Sequence, residues 1–110
     1  MANQLDSFFS AIADPTRRAV IERLTRGPAA VSELHAPHNI ALPTFLKHLK
    51  VLENAGLVHS TKQGRVRTVH IEAEPLAEAE HWLTTQRTLW EGRLNRLSAL
   101  AERLEKGGDA

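Results

Sequence analysis

Leu42-Pro43-Thr44-Phe45-Leu46-Lys47-His48-Leu49-Lys50-Val51-Leu52 decides how this chain is to be read. Leu42, Phe45, Leu49 and Leu52 recur at i, i+3, i+7 and i+10, the spacing of one buried stripe on a helix. The spacing predicts a helix from about Leu42 to Ala55, stopped by Gly56. With that stripe inward, Pro43, Thr44, Lys47 and Lys50 turn to solvent and His48 lies at the margin. An ordinary amphipathic helix with lysines on its outer face would read the same way. The flanking sequence has to decide.

Upstream, a short helix is expected near Val31 to His35, presenting Val31 and Leu34, with Pro37-His38-Asn39 as its break. A short helix, a tight break and a second amphipathic helix form a helix-turn-helix over about residues 30–56. Downstream the period changes. Leu57-Val58-His59-Ser60-Thr61 and Val66-Arg67-Thr68-Val69-His70-Ile71 are rich in β-branched residues and flank Lys62-Gln63-Gly64-Arg65. That pattern predicts a β-hairpin with glycine in its turn, over about residues 57–72. A hairpin directly after the second helix is a wing.

Further towards the N-terminus, Leu5, Phe8, Phe9 and Ile12 stand at helical spacing. Asp14-Pro15 then caps a second helix that carries Val20, Ile21 and Leu24 on one face and ends at Gly27-Pro28. Glu74-Pro75 opens a last helix reaching about residue 105. Leu76, Leu83, Trp90, Leu97 and Leu104 recur every seven residues along it, supported by Trp82, Leu89, Leu94 and Leu100. About 30 helical residues span ~45 Å, whereas a 100-residue domain has a radius of gyration of ~13 Å. The helix therefore either bends near Gly92 or buries its seam on another subunit. The second is expected, because two tryptophans and a leucine seam would leave a monomer with a large apolar patch. The expected dimer interface comprises Leu5, Phe8 and Phe9 of the first helix with Trp82, Leu83, Leu89, Trp90, Leu94 and Leu97 of the last. The fold class is mainly α with one β-hairpin, a single winged helix-turn-helix domain over residues 1–110.

The 110 residues allow one core, and 42% apolar with 25% charged residues is the composition of a folded chain. There is no cysteine, which removes disulfides, thiolate nucleophiles and thiolate metal ligands. The N-terminus lacks the basic start and apolar run of a secretory signal, and no apolar stretch is long enough to span a bilayer. A cytoplasmic protein without membrane contact is expected. Net charge is only +1, but residues 30–70 carry five basic against two acidic side chains, and residues 71–110 five against eight. Positive charge therefore gathers on the segment of the helix-turn-helix and wing.

A major groove admits a helix whose exposed side chains reach base edges. Thr44 can touch a thymine methyl, while Lys47 and His48 can donate to guanine or phosphate, with Pro43 and Lys50 beside them. In the wing, Lys62, Arg65 and Arg67 surround Gly64, and Arg65 and Arg67 are expected on one face, where they can straddle a backbone. Basic hairpin tips also occur for solubility alone. Helix then wing, in that order, favours double-stranded DNA.

The six histidines do not gather into a set of three or four ligands, so neither a metal nor another cofactor is expected. His35 and His38 are separated by Pro37; His59 and His70 are expected across the hairpin from each other. No Gly-rich phosphate loop and no nucleophile elbow is present, and Glu78 and Glu80 point apart on a helix. Catalysis is not expected.

Over about residues 5–72 the chain resembles the ArsR-type (arsenic-resistance repressor) family of bacterial winged helix-turn-helix regulators. The resemblance is carried by Asp14-Pro15-Thr16-Arg17, Ser32-Glu33-Leu34, Pro43, Lys47-His48-Leu49, Leu52, Ala55-Gly56-Leu57-Val58 and Lys62-Gln63-Gly64. It implies a homodimer joined by the first and last helices, binding a palindromic operator, with repression relieved by an effector. The chain departs from the family where metal sensors carry Cys-Val-Cys, reading Ala30-Val31-Ser32. Family recognition helices begin Ser-Gln-Pro; here Ala41-Leu42-Pro43 removes both polar groups, and Leu46 replaces a frequent serine. Base contacts are then expected from Thr44, Lys47 and His48, and the effector is of unknown identity. Two other readings stay open: a protein-interaction module on the same fold, and a metal or small-molecule sensor with little intrinsic DNA affinity.

Overall fold

The computed structural model describes residues 3–108. They divide into two units, one ending at Ala79 and the other starting at Glu80.

The first unit opens with α1, Gln4–Ile12. Asn3 and Asp6 cap it reciprocally, the Asn3 side chain accepting from the Asp6 N–H at 2.9 Å and Asp6 accepting from the Asn3 N–H at 3.3 Å. In α2, Pro15–Leu24, Asp14 accepts from the backbone N–H of Arg17 at 3.0 Å, and Pro15 occupies the first turn, where its missing N–H costs nothing. Then follow β1, Ala29–Ala30, and α3, Val31–His35. Next comes α4, Leu42–Asn54, and then β2, Val58–Gln63, and β3, Val66–Ile71.

The wing is part of a larger sheet than the hairpin expected. Strand order is β1-β3-β2, all antiparallel, with Ala29 opposite Val69 and Ala30 opposite Thr68. Two alanines after Gly27-Pro28 carry no β-branched signal, so nothing in the local sequence announces this strand. Its effect is to tie the start of α3 to β3.

Helix α4 ends in a glycine-terminated motif. The Gly56 N–H donates to Glu53 O at 2.9 Å and the Leu57 N–H to Leu52 O at 3.0 Å, with Gly56 at φ +74°. Leu52 and Leu57, the apolar pair such a motif brings together, are both fully buried. This closure turns the chain from α4 directly into β2.

One apolar core holds the unit together. Phe8 and Ala11 of α1, Val20, Ile21 and Leu24 of α2, Leu34 of α3, and Phe45, Leu49 and Leu52 of α4 meet Leu57, Val58 and Val69 of the sheet. Phe45 is central. His35 and His38 of the turn lie against its ring, with centroids at 5.1 and 5.7 Å. His35 Nε2 also donates to Ile40 O at 2.7 Å, bridging the turn. These two histidines pack and fasten the helix-turn-helix. Leu42 departs from expectation: it is 46% exposed and does not join the stripe of Phe45, Leu49 and Leu52. The helix begins at Leu42, so no preceding turn is present to fold it inward.

The last helix, α5, runs from Ala73 to Gly108 without interruption at Gly92. In the first unit, its Ala79 is buried in the core and Leu76 packs against it. In the second unit, Trp82, Leu83, Leu89, Trp90, Leu94, Leu97, Leu100 and Leu104 are all exposed, Leu89 by 64% and Trp90 by 57%. No helix among the described residues is long and apolar enough to cross a membrane.

Candidate nucleic-acid interface

The outer face of α4 carries Pro43, Thr44, Lys47 and Lys50, all exposed, as the helical spacing requires once Phe45, Leu49 and Leu52 point inward. Thr44, Lys47 and His48 stand at i, i+3 and i+4 and so share one face. Leu42 and Leu46 are exposed beside them, which makes this face more apolar at its N-terminal end than the lysines suggest.

His48 is held rather than free. Its Nδ1 lies 3.2 Å from Arg17 Nη1 and 3.8 Å from Asp14 Oδ2. Arg17 in turn donates through Nε to Ala11 O at 2.6 Å and through Nη2 to Ser10 O at 3.2 Å. The backbone N–H of Arg17 holds the Asp14 carboxyl below the usual aspartate range, with smaller help from the charges of His48 and Arg17 against the opposing effect of burial. One arginine thus joins the end of α1, the cap of α2 and the middle of α4.

In the wing, Gln63 pairs with Val66, leaving Gly64-Arg65 as a two-residue turn with Gly64 at φ +63°. Arg65 has no positive φ, so the turn places glycine at its first central position, as a II′ hairpin does. Lys62 lies opposite Arg67. This corrects the expectation that Arg65 and Arg67 share a strand face. Arg65 sits at the tip, whereas Arg67 sits on β3 opposite Lys62 of β2.

Arg67 is also engaged. Its Nη2 lies on the Glu53 carboxylate and its Nε donates to Ser60 Oγ at 2.9 Å, while Ser60 Oγ donates to Glu53 at 2.7 Å. Burial pushes the Glu53 carboxyl up, but the Ser60 hydroxyl, the Arg67 guanidinium and the Lys50 charge outweigh it and hold it below the usual glutamate range. The triad pins the wing to α4. Sequence reasoning missed Arg17, Glu53 and Ser60. Glu53 and Ser60 are seven residues apart and belong to different elements, so no periodicity links them.

On the outer face of the hairpin, His59 and His70 are cross-strand partners as expected, with rings stacked at 4.8 Å. His59 pairs with Glu72, and His70 Nε2 lies 3.1 Å from Thr61 Oγ1. Among the described residues no three His, Asp or Glu side chains converge as metal ligands. Of the expected interface residues in α1, Phe8 is only 5% exposed and lies inside the core, a correction to its placement on a subunit surface. Leu5 and Phe9 are partly buried against that core.

Residues 12–61, which span α2 through most of β2, match a helix-turn-helix domain model. The HTH-type transcriptional regulator Rv2034 of Mycobacterium tuberculosis is 42% identical over 72 residues, covering 66% of this chain and 67% of that protein. The transcriptional repressor SdpR of Bacillus subtilis is 25% identical over 79 residues, covering 72% and 88%. A crystal structure of an ArsR family transcriptional regulator superposes with a TM-score of 0.78 at 56% identity, covering 81% of this chain and 98% of that one. The chain belongs to the ArsR family of transcriptional regulators. As an ArsR-family protein it is a DNA-binding transcriptional regulator on a winged helix-turn-helix.

Proposed function

We propose that this ArsR-family regulator is a cytoplasmic repressor that binds a palindromic operator as a homodimer, laying α4 of each protomer in a major groove. The observation that carries this is the division of α4: Phe45, Leu49 and Leu52 are buried while Thr44, Lys47 and Lys50 are exposed on the outer face. Thr44, Lys47 and His48 face base edges, Lys50 faces the backbone, and Arg65 with Lys62 carries the wing to the flanking phosphates. The exposed seam of the second unit, from Trp82 to Leu97, supports pairing with a second copy, because an apolar stripe of that extent is costly in water. SdpR, a repressor, supports the sign of regulation. An effector that relieves repression belongs to the same reading. The Ala30-Val31-Ser32 sequence argues that it is not sensed through thiolates.

The test is selection from a randomised duplex library followed by mobility shifts and sedimentation with the enriched sequence. Enrichment of an inverted repeat bound by two chains, with loss of binding on Lys47→Ala, is the expected result. A fold-competent protein that enriches no duplex would instead indicate an interaction module.

A further inference from the structure

We propose that Arg17 is a positioning residue for DNA recognition, holding His48 as the tautomer with its proton on Nε2, so that the recognition helix presents a fixed hydrogen-bond donor. The inference rests on α4 as the groove-binding helix. A guanidinium has N–H groups and no acceptor. With Arg17 Nη1 at 3.2 Å, His48 Nδ1 accepts, and the neutral ring carries its proton on Nε2.

The guanidinium is itself anchored. Nε and Nη2 donate to Ala11 O at 2.6 Å and Ser10 O at 3.2 Å, carbonyls at the end of α1, leaving Nη1 aimed at the imidazole. The rival arrangement puts a proton on Nδ1 to pair with Asp14. Asp14 Oδ2 is 3.8 Å away, beyond a hydrogen bond, and the proton would meet the Arg17 N–H. Asp14 is moreover occupied by the backbone N–H of Arg17 at 3.0 Å.

His48 Nε2 has no protein partner among the described residues, and no buried side-chain nitrogen or oxygen there lacks one. Nε2 therefore reaches solvent, one helical turn from Thr44 and next to Lys47. On a major groove a donor there matches guanine O6 or N7, adenine N7 or thymine O4, and disfavours the amino groups of cytosine and adenine. Arg17 thereby sets which base edge His48 accepts as a partner, without touching DNA.

The ring nitrogens of His48 are read by long-range proton–nitrogen correlation on the whole DNA-free protein at pH 8, in wild type, Arg17→Lys and Arg17→Ala. The expected wild-type pattern is an unprotonated Nδ1 and a protonated Nε2, shifting towards mixed tautomers in Arg17→Ala and less so in Arg17→Lys. On the duplex enriched by the wild type, His48→Phe is expected to weaken binding roughly tenfold and Arg17→Ala by roughly two- to threefold, in line with the fraction of donor tautomer lost, and the double variant no more than His48→Phe alone. His48→Gln, whose amide N–H takes the place of Nε2–H, should retain most of the affinity and lose its dependence on Arg17. A wild-type ring protonated on Nδ1, or an unchanged ring in Arg17→Ala, overturns the proposal without reference to DNA. The expected ring pattern with no effect of His48→Phe on binding overturns it as a recognition device. A wild type that enriches no duplex overturns the groove reading and the proposal with it, whatever the ring shows.

Discussion

The Arg67 guanidinium rests on the Glu53 carboxylate and so joins the second strand of the wing to the last turn of α4. Glu53 is only 20% exposed, so removing its partner strands a desolvated charge. Arg67→Ala is expected to cost about 1–2 kcal/mol of stability. Arg65→Ala, at the tip of the turn, should stay within about 0.5 kcal/mol. Urea denaturation of the two variants checks the difference, and equal losses would contradict the placement of Arg67.

Glu53 also gives stability an acid limit. Its carboxyl is held below the usual glutamate range in the folded chain, so protons bind more readily once the chain unfolds. The contribution is therefore complete above the unfolded value, about 4.3, and disappears as pH falls from there through the folded one. Asp14, lowered for its own reasons, adds a similar loss further into acid. Denaturation between about pH 7 and pH 3 should show no loss down to about pH 5 and a decline below it. In Glu53→Gln the decline should be shallower and begin at lower pH.

Much of this was legible beforehand because helices announce themselves by period and caps. Asp14-Pro15, Gly56 and the Phe45/Leu49/Leu52 stripe each act within a few residues, so local sequence contains the whole signal. What escaped was long-range. Strand β1 exists because Val69 offers it a partner forty residues away, and Ala29 says nothing of that alone. Arg67 read as a free cation because its acceptor lies on another element, fourteen residues back. Phe8 read as interface because a helical apolar residue looks the same whether its cover is its own chain or a second one.

Gly64 is required by its backbone and not by crowding. A Cβ built there meets nothing within 4 Å, yet φ is +63°. Gly64→Ala should cost about 1–2 kcal/mol through the left-handed conformation alone. The wing would loosen at its tip while the Glu53 anchor keeps its root. Thermal denaturation measures the first effect, and amide exchange at Gln63 and Val66 the second. Protection unchanged at both residues would argue against a strained turn.

The seam of α5 predicts an oligomer that charge can dissolve. Leu97→Glu puts a carboxylate in the middle of the exposed stripe, where pairing would have to desolvate it. Sedimentation equilibrium is expected to find dimers for the wild type and single chains for the variant. Tryptophan emission should move to longer wavelength as Trp90 is returned to water. A wild type that sediments as one chain at micromolar concentration refutes the pairing.

Salt separates the basic side chains that meet phosphate from the one that holds the fold. With Arg67 occupied by Glu53, the cations left to each protomer at the surface of helix and wing are Lys47, Lys50, Lys62 and Arg65. If all eight of a dimer meet phosphate, the log–log slope of affinity against salt is roughly −7, with residues that turn to bases making it shallower. Arg65→Ala removes two contacts and should flatten the slope by roughly 2. Arg67→Gln should weaken binding, if at all, by the same factor at every salt concentration, because it loosens the wing without removing a phosphate contact. Anisotropy titrations between about 50 and 200 mM salt resolve the two behaviours. A flattened slope for Arg67→Gln would mean that Arg67 leaves Glu53 for the backbone when DNA arrives.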